Sequence, residues 1–257
     1  PINPEQYLVG PGDQFIVNII SSENVANYTL TISPTGEILI PSVGIVQVNG
    51  LTLSSSIKKM EIAIQSLNRS AKIFIILSEI REFKVKVIGH LQNPGFYTVT
   101  PVSRVSDLYE EILHKLQSGS SVDYNADQNT DQNLYPEMSR RNIEIFRNGE
   151  TIPVDLVKFG STGIDNNNPF LQQGDVVRVP LMEHLVGIFG GIKIPGNYEF
   201  IKGESLSQFV DLAGGLRPDA DSNKVEITRF ISSKEKFSFI ITMSQADTIL
   251  ISSEDHI

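Results

Sequence analysis

The sequence predicts an α+β protein built from three small units, and three observations carry that expectation. First, residues 87–99, VIGHLQNPGFYTV, return as residues 188–200, IFGGIKIPGNYEF. Gly89, Pro94, Gly95 and Tyr97 fall on Gly190, Pro195, Gly196 and Tyr198, each displaced by 101 residues. Second, each third of the chain holds one amphipathic helical stretch among short alternating strands. Third, a small residue followed by Asp introduces an apolar alternating run three times, at Gly12-Asp13, Gly174-Asp175 and Ala246-Asp247. In the repeated motif Pro fixes φ at a turn corner, Gly accepts the positive φ beside it, and Tyr starts the outgoing strand. Two copies in register indicate a duplicated module.

The first unit is expected over 1–81. Gly10-Pro11-Gly12-Asp13 is a turn, and Phe15, Val17 and Ile19 alternate behind it as a strand. Residues 28–32 and 37–40 read as a hairpin closed by Ser33-Pro34-Thr35-Gly36, and 44–48 as a further strand ending at Asn49-Gly50. Thr52 is positioned to cap a helix whose apolar face is Ile57, Met60, Ile64 and Leu67. Residues 72–80 return as an apolar strand.

The second unit is expected over 82–182 and the third over 183–257. After each repeated hairpin comes a helix, at 106–113 and again at 207–213, the latter stopped by Gly214-Gly215. Strands follow at 142–147 and 224–229. The offset between repeats has by then fallen from 101 to 82, so the first copy carries about 19 extra residues. These lie within 117–139, which is rich in Ser, Asn, Asp and Gln. It reads as a solvated loop with too little apolar surface to offset the entropy of ordering. Strands at 174–179 and 246–251 close the two copies.

Composition narrows the function classes. The formal net charge is −9 and the acidic residues are spread along the chain, which argues against a nucleic-acid partner. There is no cysteine, hence neither disulfide nor thiolate metal site. No apolar run reaches the length of a membrane helix. The start at Pro1 is read as processed or trimmed.

The ordered set GPGDQFIV at 10–17, SPTGEILIPSVGIVQVNGLTLSSS at 33–56 with its helix, the apolar strand, and VIGHLQNPGFYTV resembles the bacterial outer-membrane polysaccharide export family. The resemblance implies a small export-type α/β domain followed by two β-grasp domains of the soluble-ligand-binding (SLBB) kind. It implies a periplasmic, non-enzymatic part of an outer-membrane translocon for capsular or exopolysaccharide, ring-forming when full length. The implied partners are the polysaccharide, an inner-membrane polysaccharide co-polymerase or kinase, and a separate outer-membrane pore if this chain forms none. Many members begin with a lipid-modified Cys and end in an amphipathic pore helix. Neither is present in this sequence, so residues 1–257 alone are expected to be mainly monomeric. The alternative reading is a free-standing periplasmic module binding carbohydrate or another small ligand.

Candidate chemistry is sparse, and no cofactor is implied. Asp127, Asn129 and Asp131 begin with calcium-loop spacing, but Gln132 and Met138 stand where Gly and a bidentate Glu belong. Asp219, Asp221 and Asn223 fail likewise at Lys224 and Phe230. His90, His114, His184 and His256 fit no metal spacing. Glu110 and Glu111 are helix neighbours that cannot face one another across a glycosidic bond. Gly10, Pro11, Gly12, Asp13, Gly89, Pro94, Gly95, Tyr97, Gly190, Pro195, Gly196 and Tyr198 are therefore read as turn-forming residues, with glycan contact as their one alternative role.

Overall fold

The computed structural model describes residues 2–21, 25–67, 69–89, 91, 93–119, 138–231 and 235–257, with 117–119 by backbone alone. The strands are β1 Gln14–Ile20, β2 Val25–Thr31, β3 Glu37–Ile40, β4 Gly44–Gln47, β5 Lys72–Glu79, β6 Phe83–Gly89 and β7 Gly95–Val99, then β8 Ile143–Arg147, β9 Glu150–Val154, β10 Val176–Val179, β11 Leu185–Ile188, β12 Gly196–Glu199, β13 Val225–Phe230 and β14 Lys236–Ile241. The helices are α1 Leu53–Leu67, α2 Val105–Gly119, α3 Leu156–Thr162 and α4 Leu206–Leu212. Mixed helices and sheets make the chain α+β. It folds as two units: residues 1–85, 96–108 and 170–174, and residues 86–95, 109–169 and 175–257.

In the first unit β1 is the centre of an antiparallel sheet of order β2-β1-β5. The alternation that predicted β1 places Phe15 and Val17 in the core with no exposed surface. Helix α1 covers this core with Leu53, Met60 and Ile64, and Ile57 packs alongside. Leu67, expected on that face, is 64 % exposed at the helix end. Thr52 Oγ1 accepts from the Ser55 N–H at 3.2 Å, the expected N-cap.

The expected hairpin across Ser33-Pro34-Thr35-Gly36 is corrected: β2 pairs with β1, and β3 pairs with β4 in a separate ribbon. The cause is local. The Gly12 N–H donates to the Ile32 carbonyl, and the Ile32 N–H to the Asp13 carbonyl. The β1–β2 ladder therefore runs up to the Pro-Gly turn, which hands the chain to another sheet.

Strands β6 to β10 form a five-stranded sheet of order β7-β6-β10-β8-β9. Strand β10 lies parallel to β6, with Val177 opposite Val87, and antiparallel to β8, with Val177 opposite Ile145. Asn148 and Gly149, at φ 50° and 84°, make the tight turn between β8 and β9. In the second copy β11 pairs with β12 and β13 with β14, while Leu206, Phe209, Val210 and Leu212 of α4 fill the core. Ser205 and Gln208 form a reciprocal capping box at the start of α4.

The expected closing strand 246–251 is also corrected. Thr242 and Gln245 cap a 3-10 turn, Met243–Gln245, whose turns continue through 246–248 and take the start of that stretch, and Leu250 makes a single bridge to Ser205. The counterpart of β10 is Asp255–Ile257. His256 bridges Gly187 in parallel and Thr228 in antiparallel, as Val176 does with Lys86 and Phe146 in the first copy.

Candidate functional site

Three buried aspartates, one in each expected unit, hold an arginine. Asp13 has no exposed surface. Its Oδ1 accepts from the Tyr7 hydroxyl at 2.7 Å and the Arg81 N–H at 2.8 Å; its Oδ2 accepts from the Gly10 N–H at 2.9 Å and Arg81 Nη1 at 2.8 Å. Asp175 takes Arg147 at 2.8 and 2.7 Å, and Asp255 takes Arg229 at 3.0 and 2.7 Å, both as two-pronged pairs. Burial, and then the bond to Asp13, push the Tyr7 hydroxyl pKa well above its ordinary value. The bond to Asp255 raises that of Arg229. These carboxylates are fully engaged inside the fold.

The predicted motif residues serve the same packing. Gly10 and Gly12 leave room for Arg81, whose atoms lie 3.0 and 3.2 Å from where a Cβ would stand. At Gly89, φ +130°, a Cβ would sit 2.1 Å from the Val179 carbonyl oxygen, so β6 and β10 meet there only through glycine. Gly95 at φ +147° opens β7, and Gly190 at φ +79° follows β11. Pro94 and Pro195 stand just before β7 and β12, and Gly196 is the first residue of β12. Tyr97 is buried; Tyr198 donates to the Ile194 carbonyl at 2.7 Å and packs edge-on against Phe209. The motif residues stay at their separate turns, and Pro11 is exposed at its own. His90 and the Asp127, Asn129, Asp131 run lie outside the described residues. Asp219 pairs with Arg217, and Asp221 accepts the Asn223 N–H.

A second constellation was not visible in the sequence. Arg141, on the chain leading into β8, is 3 % exposed. Its Nε donates to Asp155 at 3.0 Å, Nη2 to Glu204 at 2.6 Å and Nη1 to the Glu199 carbonyl at 2.7 Å. Glu199 in turn accepts from the N–H groups of Arg140 and Arg141 and from Asn142 Nδ2. Asp155 also caps α3 by accepting from the Lys158 N–H at 2.8 Å. Burial alone would lower the Arg141 pKa; the bonds to Glu204 and Asp155 reverse this, and the net shift is upward. The guanidinium stays charged and ties residues 141–155 to residues 199–204.

Around this cluster opens a cleft of about 940 Å³. Its walls carry four cations, Arg141, Lys158, Arg178 and Lys202, against five carboxylates, Glu144, Asp155, Glu183, Glu199 and Glu204. Arg178 and Glu144 pair at 2.6 Å. Asn167, His184, Phe200 and Ser253 complete the polar and aromatic lining that matters here. Glu204 Oε2 is buried without a hydrogen-bond partner among the described residues. Such a surface offers donors and acceptors in mixture. The described residues hold no cluster of three metal-ligating side chains.

Residues 1–78 match the family described as polysaccharide biosynthesis/export protein, and residues 185–238 match the SLBB domain. Together these matches support a polysaccharide export protein. Two polysialic acid transport proteins, both KpsD of Escherichia coli, are 24 % and 23 % identical to it over 229 residues, covering 88 % of this chain. The chain spans 37 % of the length of these relatives. Asp13, Tyr7 and Gly10 fall within the export-domain match and Arg81 just beyond it, while Arg229 falls within the SLBB match and Asp255 beyond it. No helix among the described residues is long and apolar enough to cross a membrane.

Proposed function

We propose that this export protein is a periplasmic component of the translocon that carries capsular or exopolysaccharide across the outer membrane, without catalysing a reaction. The carrying observation is the ordered match of an export domain at 1–78 and an SLBB domain at 185–238, spanned by similarity to polysialic acid transport proteins. We read the chain as three units over 1–81, 82–182 and 183–257, the last two being copies of one β-grasp module. The shared Arg147–Asp175 and Arg229–Asp255 pairs, at matching places in the two copies, support that reading.

Several full-length copies would surround the polymer as a ring, docked to an inner-membrane co-polymerase or kinase and to an outer-membrane pore. Closed heterologous contacts give such rings, and many weak contacts suffice when a membrane aligns the copies. A mixed-charge cleft suits this task, because conduction needs binding weak enough to release. Membrane fractionation and in-cell crosslinking of the full-length protein test the proposal. It expects outer-membrane association and a ladder of crosslinked homo-oligomers. A monomer released with the bulk periplasmic proteins would overturn the translocon role.

A further inference from the structure

We infer that the cleft around Arg141 binds an uncharged, hydroxyl-rich stretch of glycan and discriminates against a polyanionic one. This rests on the export reading and adds a ligand class to it. The four cations and five carboxylates of the wall nearly cancel. Most of them are also spent: Arg141 on Asp155 and Glu204, Arg178 on Glu144, and the Glu199 carboxylate on three N–H donors. Among the described residues the unspent groups are Lys158 and Lys202 as donors, Glu183 as acceptor, and Asn167 and Ser253, which can do either. Glu204 Oε2, buried behind the wall, is a further acceptor without a partner among the described residues.

A sugar hydroxyl both donates and accepts, so neighbouring hydroxyls on one ring answer a lysine and a glutamate together. A glycan with a carboxylate on every residue answers only the lysines. It meets Glu183, the one wall carboxylate without a partner among the described residues, and a wall of net negative charge, on a chain whose net charge is −9. Disfavouring the anion in this way is specificity by repulsion. A wall already tied internally holds its shape, so little ordering entropy is lost on binding.

The test uses the full chain in 15N-labelled form, titrated separately with maltohexaose, cellohexaose and an α2,8-linked sialic acid hexamer. Saturable amide shifts are expected around 141–144 and 199–204 with at least one neutral hexamer, at millimolar affinity typical of weak binding. They should change little between about 0.05 and 0.5 M salt, where screening would reshape an ionic contact. The pair Lys158→Ala and Lys202→Ala should weaken binding about tenfold, while Lys115→Ala, on α2, should leave it unchanged. Unchanged circular dichroism certifies the fold of each variant. The inference is overturned by a sialic acid hexamer that binds at least about tenfold tighter and loses affinity with salt. It is equally overturned if neither neutral hexamer gives saturable shifts, or if the double variant binds as well as the parent. None of these results touches the export reading, which is decided by where the polymer accumulates in cells lacking the protein.

Discussion

Replacing Arg141 by Met keeps the side-chain length and removes the charge, and the structure sets what that should cost. Asp155 would lose Nε at 3.0 Å and Nη2 at 2.9 Å, Glu204 its partner at 2.6 Å, and the Glu199 carbonyl its donor at 2.7 Å. Asp155 keeps the Lys158 N–H, so it is not wholly stranded. Glu204 is: its other oxygen already lacks a partner among the described residues. Breaking one side of a buried ion pair costs about 3–5 kcal/mol, because a charge is left desolvated. At a few degrees per kcal/mol for a domain of this size, Tm should fall by roughly 6–20 °C. Amide exchange should accelerate at 199–206 and 139–142 together, since the guanidinium is what joins them. Adding Glu204→Gln to the Met variant removes the stranded charge and should recover about 1–3 kcal/mol as a coupling energy. An Arg141→Met protein within about 0.5 kcal/mol of the parent, or strictly additive effects of the two substitutions, would refute the claim that this cluster ties the two segments.

The other expectations follow from the same physics. Asp175→Asn should destabilise the parent by about 3–5 kcal/mol in urea unfolding, as the partly buried Arg147 loses its fully buried carboxylate partner; a loss under about 1 kcal/mol would show the pair to be incidental. Gly89→Ala places a methyl 2.1 Å from the Val179 carbonyl at φ +130°, so soluble expression or cooperative melting should fail, and a variant melting within a few degrees of the parent would contradict the close approach. The Tyr7 hydroxyl is held protonated in the fold, its pKa raised by burial and by Asp13. Its contribution is whole below about pH 10, the unfolded tyrosine value, and is lost as pH climbs through the folded value. Tyr7→Phe should therefore cost about 1 kcal/mol at pH 7 and flatten the alkaline loss of stability; identical alkaline profiles for parent and variant would count against this.

How much was legible follows from the range of each interaction. Strand β1 was visible because Phe15 and Val17 report a period of two within four residues, and α1 because Met60 and Ile64 sit above a capping Thr52. The repeat exposed the paired hairpins for the same reason. Two elements were overlooked although local signals existed: β9, marked by the Asn148-Gly149 turn, and α3, capped by Asp155 and Gly163. Strand β14 had no comparably clear punctuation. The closing strand of the second copy was misplaced because Ala246-Asp247 mimics Gly174-Asp175 in composition, while the residue that repeats its role is Asp255, recognisable only by its arginine. Arg141 was invisible for a different reason. Its partners lie 14, 58 and 63 residues away, and an arginine in a polar run reads as surface until the fold brings carboxylates to it.

The central claim, that this protein carries polysaccharide outward, is tested most directly by deleting its gene in the native host and asking where the polymer goes. The account predicts that surface capsular or exopolysaccharide disappears while polymer accumulates inside the outer membrane, and that the full-length gene restores it to the surface. Normal surface polysaccharide in the deletion strain would contradict the account, and so would loss of polymer from every compartment, which would place the protein in synthesis rather than export.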